Sequence, residues 1–438
     1  TDLHVHLLPY DYYADRAADT VGLARTAAIV AALRADCANA LLVDNGDFLQ
    51  GNPMGDYIAY ERGMAEGEAH PVIAAMNAMG YDAAALGNHE FDYGLDFLMK
   101  AVAGARFPVL SANLALQAGA GPREDRTLVA PWTILDRALA DGAGRRHRLR
   151  IGLIGFAPPQ VVLWDRRHLD GRVVARDIVE TARARVPEMK EAGADVIVAL
   201  AHSGIGADRH CAGMENAVVP LAAVDGIDAV VAGHSHLVFP SADHARSAAV
   251  DPVAGTVHGK PVTMAGFWGS HLGLLDLLLE KRAEGWRVAA AASAARPIAR
   301  RNPDRTVTPL VASEARVAAS VAAEHRGTLA YIRRAVGKTA VPLHSHFALV
   351  GASPALRLVA EAQAAHVAAR LRGTRWEGLP ILSAATPYKA GGRAGPAYYT
   401  DVPAGEISYR HVADLYVYPN AIRALRVTGA ELLEWLER

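Results

Sequence analysis

Up to about Ala299 the apolar and polar positions repeat one pattern: a short aliphatic or β-branched run, a polar or Gly turn, then an amphipathic stretch of helical period. The runs Ala40–Val43, Ala83–Leu86, Ile151–Gly155, Val196–Ala201, Ala229–Ala232 and Val262–Ala265 predict strands. The stretches Val21–Arg34, Pro71–Met79, Leu95–Ala103 and Ile178–Glu191 predict helices. This alternation marks an α/β domain. Polar or Gly residues follow each strand at once, and in α/β proteins ligands gather beyond the carboxyl ends of the strands.

The pattern changes at Arg300-Arg301-Asn302-Pro303-Asp304-Arg305, a charged, Pro-containing stretch that reads as an interdomain linker. A helix is expected over Leu310–Arg334, where Leu310, Val317, Val321, Leu329 and Ile332 fall near helical spacing. A mixed region follows from Val336, with the Gly-rich turn Tyr388-Lys389-Ala390-Gly391-Gly392-Arg393 and a cluster of tyrosines. The expected division is a domain over 1–300, a linker and connecting helix over 301–335, and a second domain over 336–438. Both ends read as interrupted elements. Thr1-Asp2-Leu3-His4 resembles the last residues of a strand, and Glu431–Leu436 an apolar-faced helix with nothing after it, so a piece of a longer chain is expected.

With 51% hydrophobic and 21% charged residues, 39 Gly and 23 Pro, the composition is that of a globular protein with a sizeable core. Lys+Arg 45 against Asp+Glu 46 leaves a formal charge of −1, which argues against a nucleic-acid polymer or an anionic membrane surface as partner. No apolar run approaches the roughly 18 residues of a membrane span. Cys37 and Cys211 are too few for a disulfide framework or a thiolate metal site, so any metal must be held by nitrogen and oxygen. A single bridge between them stays open beside the simpler reading of two partly buried thiols.

The chain has 18 histidines, and five of them fall in polar clusters within the first 240 residues. The clusters are Asp2-x-His4, Gly46-Asp47, Gly87-Asn88-His89-Glu90, His202 and Gly233-His234-Ser235-His236. In a strand-end geometry of period two, Asp2 and His4 point to one side, as do His234 and His236, so each pair can grip one ion or flank two. The set offers two carboxylates, one amide and five imidazoles. That suffices for two metal ions sharing a bridging carboxylate, with one histidine left over. Imidazole and carboxylate without thiolate suit Mn, Zn, Fe or Co. Two such ions roughly 3.5–4 Å apart clamp a phosphoryl group, which predicts phosphoester hydrolysis. His89 is the candidate free imidazole, since Asn88 beside it is a ligand type and Asp92 three residues on can orient its ring.

In these motifs the chain resembles the calcineurin-like metallophosphoesterases. Within them it is closest to the 5′-nucleotidase branch, and there to the 2′,3′-cyclic-nucleotide 2′-phosphodiesterase/3′-nucleotidases of the bacterial periplasm. The resemblance covers essentially the whole chain. It rests also on Tyr10-Asp11-Tyr12-Tyr13, Val43–Asp47, Leu86–Gly94, Ala201–Gly204, Trp268–Gly273, Lys389–Arg393 and Asp414–Asn420. It implies a four-layer α/β/β/α metallophosphoesterase sandwich lacking its first strand here, a linker helix, and part of an α/β nucleotide-binding domain. Two facing mixed sheets are thus expected rather than a doubly wound parallel one. By the same resemblance Asp2, His4 and His236 would hold one divalent metal ion, Asn88, His202 and His234 the other, and Asp47 would bridge. His89 with Asp92 would form the catalytic dyad.

The resemblance further implies hydrolysis of nucleoside 2′,3′-cyclic phosphates and of 3′-nucleotides. A 5′-nucleotidase or nucleotide-sugar hydrolase is the rival enzyme reading, and a non-catalytic nucleotide- or metal-binding protein the rival of another class. Small-molecule nucleotides are the expected partners, the periplasm the expected compartment and a monomer the expected state. Tyr399 is the candidate base-stacking aromatic, or else a strand tyrosine packed on its domain. Arg393 would contact ribose or phosphate, or else be a turn residue tied to a carboxylate. His6, His271 and Trp268 are expected to support the site without binding metal, and Asp44 and Asn45 to shape the turn before Asp47.

Overall fold

A computed structural model describes residues 1–244, 247–283, 285–392, 398–418 and 420–438. The chain divides into two compact units, Thr1–Leu329 and Ala330–Arg438.

In the first unit α1 (Leu23–Asp36) leads to β1 (Val43–Asp44), α2 (Pro71–Met79), β2 (Ala83–Ala85) and β3 (Val109–Leu110). The three strands pair in parallel in the order β1-β2-β3. A larger mixed sheet holds β4 (Trp132–Ala140), β5 (Arg146–Phe156), β6 (Val196–Ala201), β7 (Ala229–Ala232) and β8 (Lys260–Ala265). In it β5, β6, β7 and β8 run parallel while β4 pairs antiparallel with β5. The connections carry α3 (Ile178–Glu191) and α4 (Val218–Ala222). The unit continues with a long antiparallel hairpin, β9 (His271–Arg282) and β10 (Gly285–Pro297), and with α5 (Ala315–Ser320).

β6 shows how the layers form. Ile197, Ala199 and Ala201 face a core shared with α3 and α4, through Ile178, Val179, Val186, Met189 and Val218–Ala222. Val196, Val198 and Leu200 face the opposite core, with Ala83 and Ala85 of β2, Leu110 of β3 and Leu279 of β9. Strict alternation along one largely buried strand places a helical layer on one face and a second sheet on the other. Outside that second sheet α1 packs on β9 and α5, and α5 on α2. These are the two facing sheets with helices outside that the family resemblance implied.

Several elements differ from the sequence expectation. The stretch Arg300–Arg305, expected as a linker, belongs to a small hairpin, Ala299–Arg301 paired with Val307–Pro309, and its residues 302–305 lie in the turn. Asp304 Oδ1 accepts the Thr306 N–H at 2.9 Å, so side-chain turn chemistry closes a ladder there. The single helix expected over Leu310–Arg334 is two, α5 and Ala322–Ile332, separated at Val321 where φ is −123° and ψ 11°. Cys37 and Cys211 are both exposed and unpaired rather than partly buried. Among the described residues no helix is long and apolar enough to cross a membrane.

In the second unit Ala335–Thr339 pairs antiparallel with Gly405–Ser408, and Leu343–His344 with Asp401–Val402. The helix Pro354–Leu371 starts at Ser353, which caps it, with Pro at its first position. Leu343, Ala355 and Val402 form a small core. Lys389 of the Gly-rich turn is ion-paired to the buried Asp414. Tyr399 bridges to Ala390 and sets its ring edge-on to His346 at 5.2 Å. Arg393 lies outside the described residues.

Candidate metal centre

The predicted donors stand in the turns that follow β1, β2, β6 and β7, joined by the segment Thr1–Val5. That segment lies along the turn after β1: Asp2 N–H donates to Gly46 O (2.9 Å) and His4 N–H to Asp47 O (2.8 Å). Strand alternation is not what aims the side chains. Asp2, His4, Asp47, His234 and His236 all have positive φ, at 50°, 45°, 58°, 69° and 58°. Left-handed backbone in non-Gly residues costs about 1–3 kcal/mol each and persists only where the surroundings force it. Five such residues in one cluster mark a site built for convergence.

The side chains meet in two groups whose donor atoms lie within 4.8 Å of one another: Asp2 with His4 and His236, and Asp47 with His202 and His234. His4 Nε2 and His236 Nε2 are 3.0 Å apart, and His236 Nε2 is 3.4 Å from Asp2 Oδ1. Asp47 Oδ2 lies 2.9 Å from His202 Nε2 and 3.9 Å from His4 Nε2, so it reaches both groups. Asn88 Oδ1 is buried and has no hydrogen-bond partner among the described residues. The His89 N–H donates to Asp47 Oδ1 (2.8 Å), which fixes the Asn88–His89 turn on the central carboxylate.

Tautomers are set from outside. His4 Nδ1–H donates to Gln50 O (2.7 Å) and His202 Nδ1–H to Asn45 O (3.1 Å), which leaves Nε2 of each for the centre. Burial holds His4 down to about 3, so it is a neutral lone-pair donor. Burial opposes charge on His202 too, but Asp47 and Asp2 outweigh it and push that ring up to about 9. The Asp2 carboxyl is held below the usual range, because His202 and His236 overcome the desolvation that burial imposes. A buried anionic pair that draws positive charge onto a neighbouring ring is a donor set suited to divalent cations.

Beside this set, His89 Nδ1–H donates to Asp92 Oδ2 at 2.8 Å. Burial disfavours its charge, yet Asp47 and Asp92 outweigh it and push the ring up to about 10. Asp165, not singled out in the sequence, contacts Asp92, and burial followed by that neighbour pushes its carboxyl up to about 7.

The supporting residues sit as follows. His6 donates from Nδ1 to His4 O (2.9 Å) and stacks on Trp268 at 4.4 Å. Trp268, at φ 59°, donates its N–H to Asp2 O (2.7 Å). His271 meets Ser270 Oγ through Nδ1 at 3.0 Å. Asp44 Oδ1 accepts the Gly46 N–H (2.8 Å), and Asn45 Nδ2 donates to Ala201 O (2.8 Å) and Val231 O (3.2 Å), tying β1 to the ends of β6 and β7. A Cβ on Gly87 would stand 2.3 Å from Asp47 Oδ1, so only glycine lets the two turns meet.

Sequence reasoning gave no role to Glu90, although its motif was singled out. Its carboxylate is buried and accepts four backbone N–H groups: Asp47 and Gly87 on Oε2, at 2.8 and 2.6 Å, and Phe48 and Leu49 on Oε1, at 2.6 and 3.1 Å. The signal available was its place at the end of Gly-Asn-His-Glu, one helical turn from the glycine. Glu215, which contacts His234, and Trp164 carried no such signal, because long connections bring them in.

Residues 1–238 match the sequence model of the calcineurin-like phosphoesterases. The chain belongs to the calcineurin-like phosphoesterase family. Residues 335–438 match the 5′-nucleotidase C-terminal domain. This calcineurin-like phosphoesterase is 43% identical over 441 residues to the trifunctional nucleotide phosphoesterase protein YfkN of Bacillus subtilis (strain 168), matching along 100% of its own length and 29% of that protein's. It is 42% identical over 439 residues to the 2′,3′-cyclic-nucleotide 2′-phosphodiesterase/3′-nucleotidase of Salmonella typhimurium, again over 100% of the chain and 66% of that protein. The chain therefore spans less than two thirds of the curated relatives it matches first. Among solved structures, that of calcineurin-like phosphoesterase YfkN from Bacillus subtilis superposes with a TM-score of 0.69 at 41% identity, over 75% of this chain and 96% of that one.

Proposed function

We propose that the chain is a dinuclear metal-dependent phosphohydrolase that opens nucleoside 2′,3′-cyclic phosphates to 3′-nucleotides and then hydrolyses these to nucleoside and phosphate. The observation that carries the reading is one buried carboxylate, Asp47, in reach of both donor groups, with the His89–Asp92 pair beside it. The choice of substrate is supported by the names of relatives such as the Salmonella protein. Asp2, His4 and His236 would hold one divalent ion, Asn88, His202 and His234 the other, with Asp47 between. Bound there, two ions would supply Lewis-acid charge at the phosphoryl oxygens and a nucleophilic water. Mn, Zn, Fe and Co all suit the donors.

The chain's own residues do the rest. His89, turned by Asp92, is assigned to donate from Nε2–H to the phosphoryl group and to the leaving ribose oxygen. The fixed turns around Asp47 hold the donors in place before substrate arrives, so little reorganisation is needed in the transition state. In the second unit Tyr399 and Arg393 are the proposed nucleoside contacts.

The test is a panel of 2′,3′-cyclic AMP, 3′-AMP and 5′-AMP under Mn or Co. The cyclic diester and 3′-AMP are expected to turn over well ahead of 5′-AMP, and a clear preference for 5′-AMP overturns the choice. Metal removal gives a second measurement. Ions that bind only the folded chain stabilise it by about 4 kcal/mol at 1,000 times their Kd. EDTA should therefore abolish activity and lower Tm, and Mn should restore both. A periplasmic role in nucleotide breakdown and a monomeric state complete the proposal. A leader peptide in the full reading frame tests the first, and light scattering the second.

A further inference from the structure

Glu215 lies in the connection between β6 and α4, and its Oε1 accepts a hydrogen bond from His234 Nε2 at 2.7 Å. The root of that connection is fixed. Ser203 Oγ donates to Glu215 O (2.7 Å) and accepts the Ala217 N–H (2.7 Å), while the Gly204 N–H donates to Asn216 Oδ1 (3.1 Å). The face of His234 is covered as well. The indole of Trp164 lies 5.8 Å away at an interplanar angle of 20°.

An imidazole offers a metal whichever nitrogen is not already engaged as a donor. His4 and His202 spend Nδ1–H on backbone carbonyls, so both present Nε2. His234 is held the other way round, with Nε2 engaged by a carboxylate, so Nδ1 is the nitrogen left to an ion. We infer that Glu215 is a positioning residue for His234, fixing its tautomer and ring so that Nδ1 serves the metal shared with Asp47 and His202, with Trp164 bracing the ring face. The inference rests on the metal centre proposed above. A carboxylate on the far nitrogen also makes the ring a better donor, and losing such a partner typically weakens metal affinity about 10–100-fold.

The experiment measures metal stoichiometry and affinity for wild type, Glu215→Ala, Glu215→Asp and Glu215→Gln, by equilibrium dialysis against graded Mn or Zn with elemental analysis, and Tm of each metal-free protein. Wild type is expected to hold two equivalents. Glu215→Ala should keep one at wild-type affinity and bind the other about 10–100-fold more weakly, with the metal-free Tm unchanged. Glu215→Asp withdraws the carboxylate by one methylene and should behave like Glu215→Ala. Glu215→Gln still accepts the N–H and should lie between. If Glu215→Ala fails to fold, the Asp and Gln variants decide by the same ordering. Two equivalents at wild-type affinity in the Ala or Asp variant overturn the role of Glu215 alone. Equal weakening of both equivalents also overturns it, because the effect is then not local to His234. A wild-type protein that holds no ion overturns the metal centre itself.

Discussion

His89→Ala is expected to lower kcat on 3′-AMP by about 10²–10⁴-fold, the usual weight of a positioned acid–base group, and to leave both metal equivalents in place. His89 belongs to neither donor group, and the bond it gives Asp47 comes from its backbone N–H, which alanine keeps. Only the imidazole goes, and with it the donor that Asp92 holds in place. Asp92 acts through that ring, so Asp92→Asn alone should cost less. Added to His89→Ala it should cost almost nothing, since two members of one unit do not add. Steady-state kinetics with elemental analysis of the same samples decide the matter. Wild-type turnover, or loss of both metals, would show that the ring is not the catalytic group.

The sequence showed the parallel strands of the large sheet because they are largely buried and read as continuous aliphatic runs, whereas β4, only partly buried, was not among the expected strands. β6 and β7 fall where the pattern placed them, as do α2 and α3. The long hairpin β9/β10 was not legible. Its second strand is rich in alanine, including Ala289–Ala292, and alanine prefers helix, so only pairing along β9 makes it a strand. The site divides in the same way. Donor types and their places after strands could be read from the chain, since ligand chemistry restricts them to His, Asp and Asn. Their aim could not, because it comes from left-handed turns at Asp2, His4, Asp47, His234 and His236 that alternation does not foresee. Contacts between distant segments, such as Glu215 on His234 and Asp165 on Asp92, exist only once the fold has formed.

Glu90→Gln is the second large effect expected, and the substitution is not conservative here. Each carboxylate oxygen takes two backbone N–H groups. An amide has one oxygen and one NH2, so in either flip one pair of N–H groups faces a donor instead of an acceptor. If the NH2 replaces Oε2, Asp47 and Gly87 lose their partner, and if it replaces Oε1, Phe48 and Leu49 do. Each buried N–H left without an acceptor costs about 1–3 kcal/mol, so leaving two unpaired costs on the order of 3 kcal/mol. The damage falls on the turn that carries Asp47, whose neighbour Gly87 already leaves no slack. The variant should show a lower Tm in the metal-free state and weaker binding of both ions, because Asp47 faces both groups. Glu215→Ala, by contrast, should weaken one ion only. Unfolding by denaturant together with metal titration separates the two patterns. A Glu90→Gln protein with wild-type stability and two tightly bound ions would show that the turns around Asp47 hold without the carboxylate.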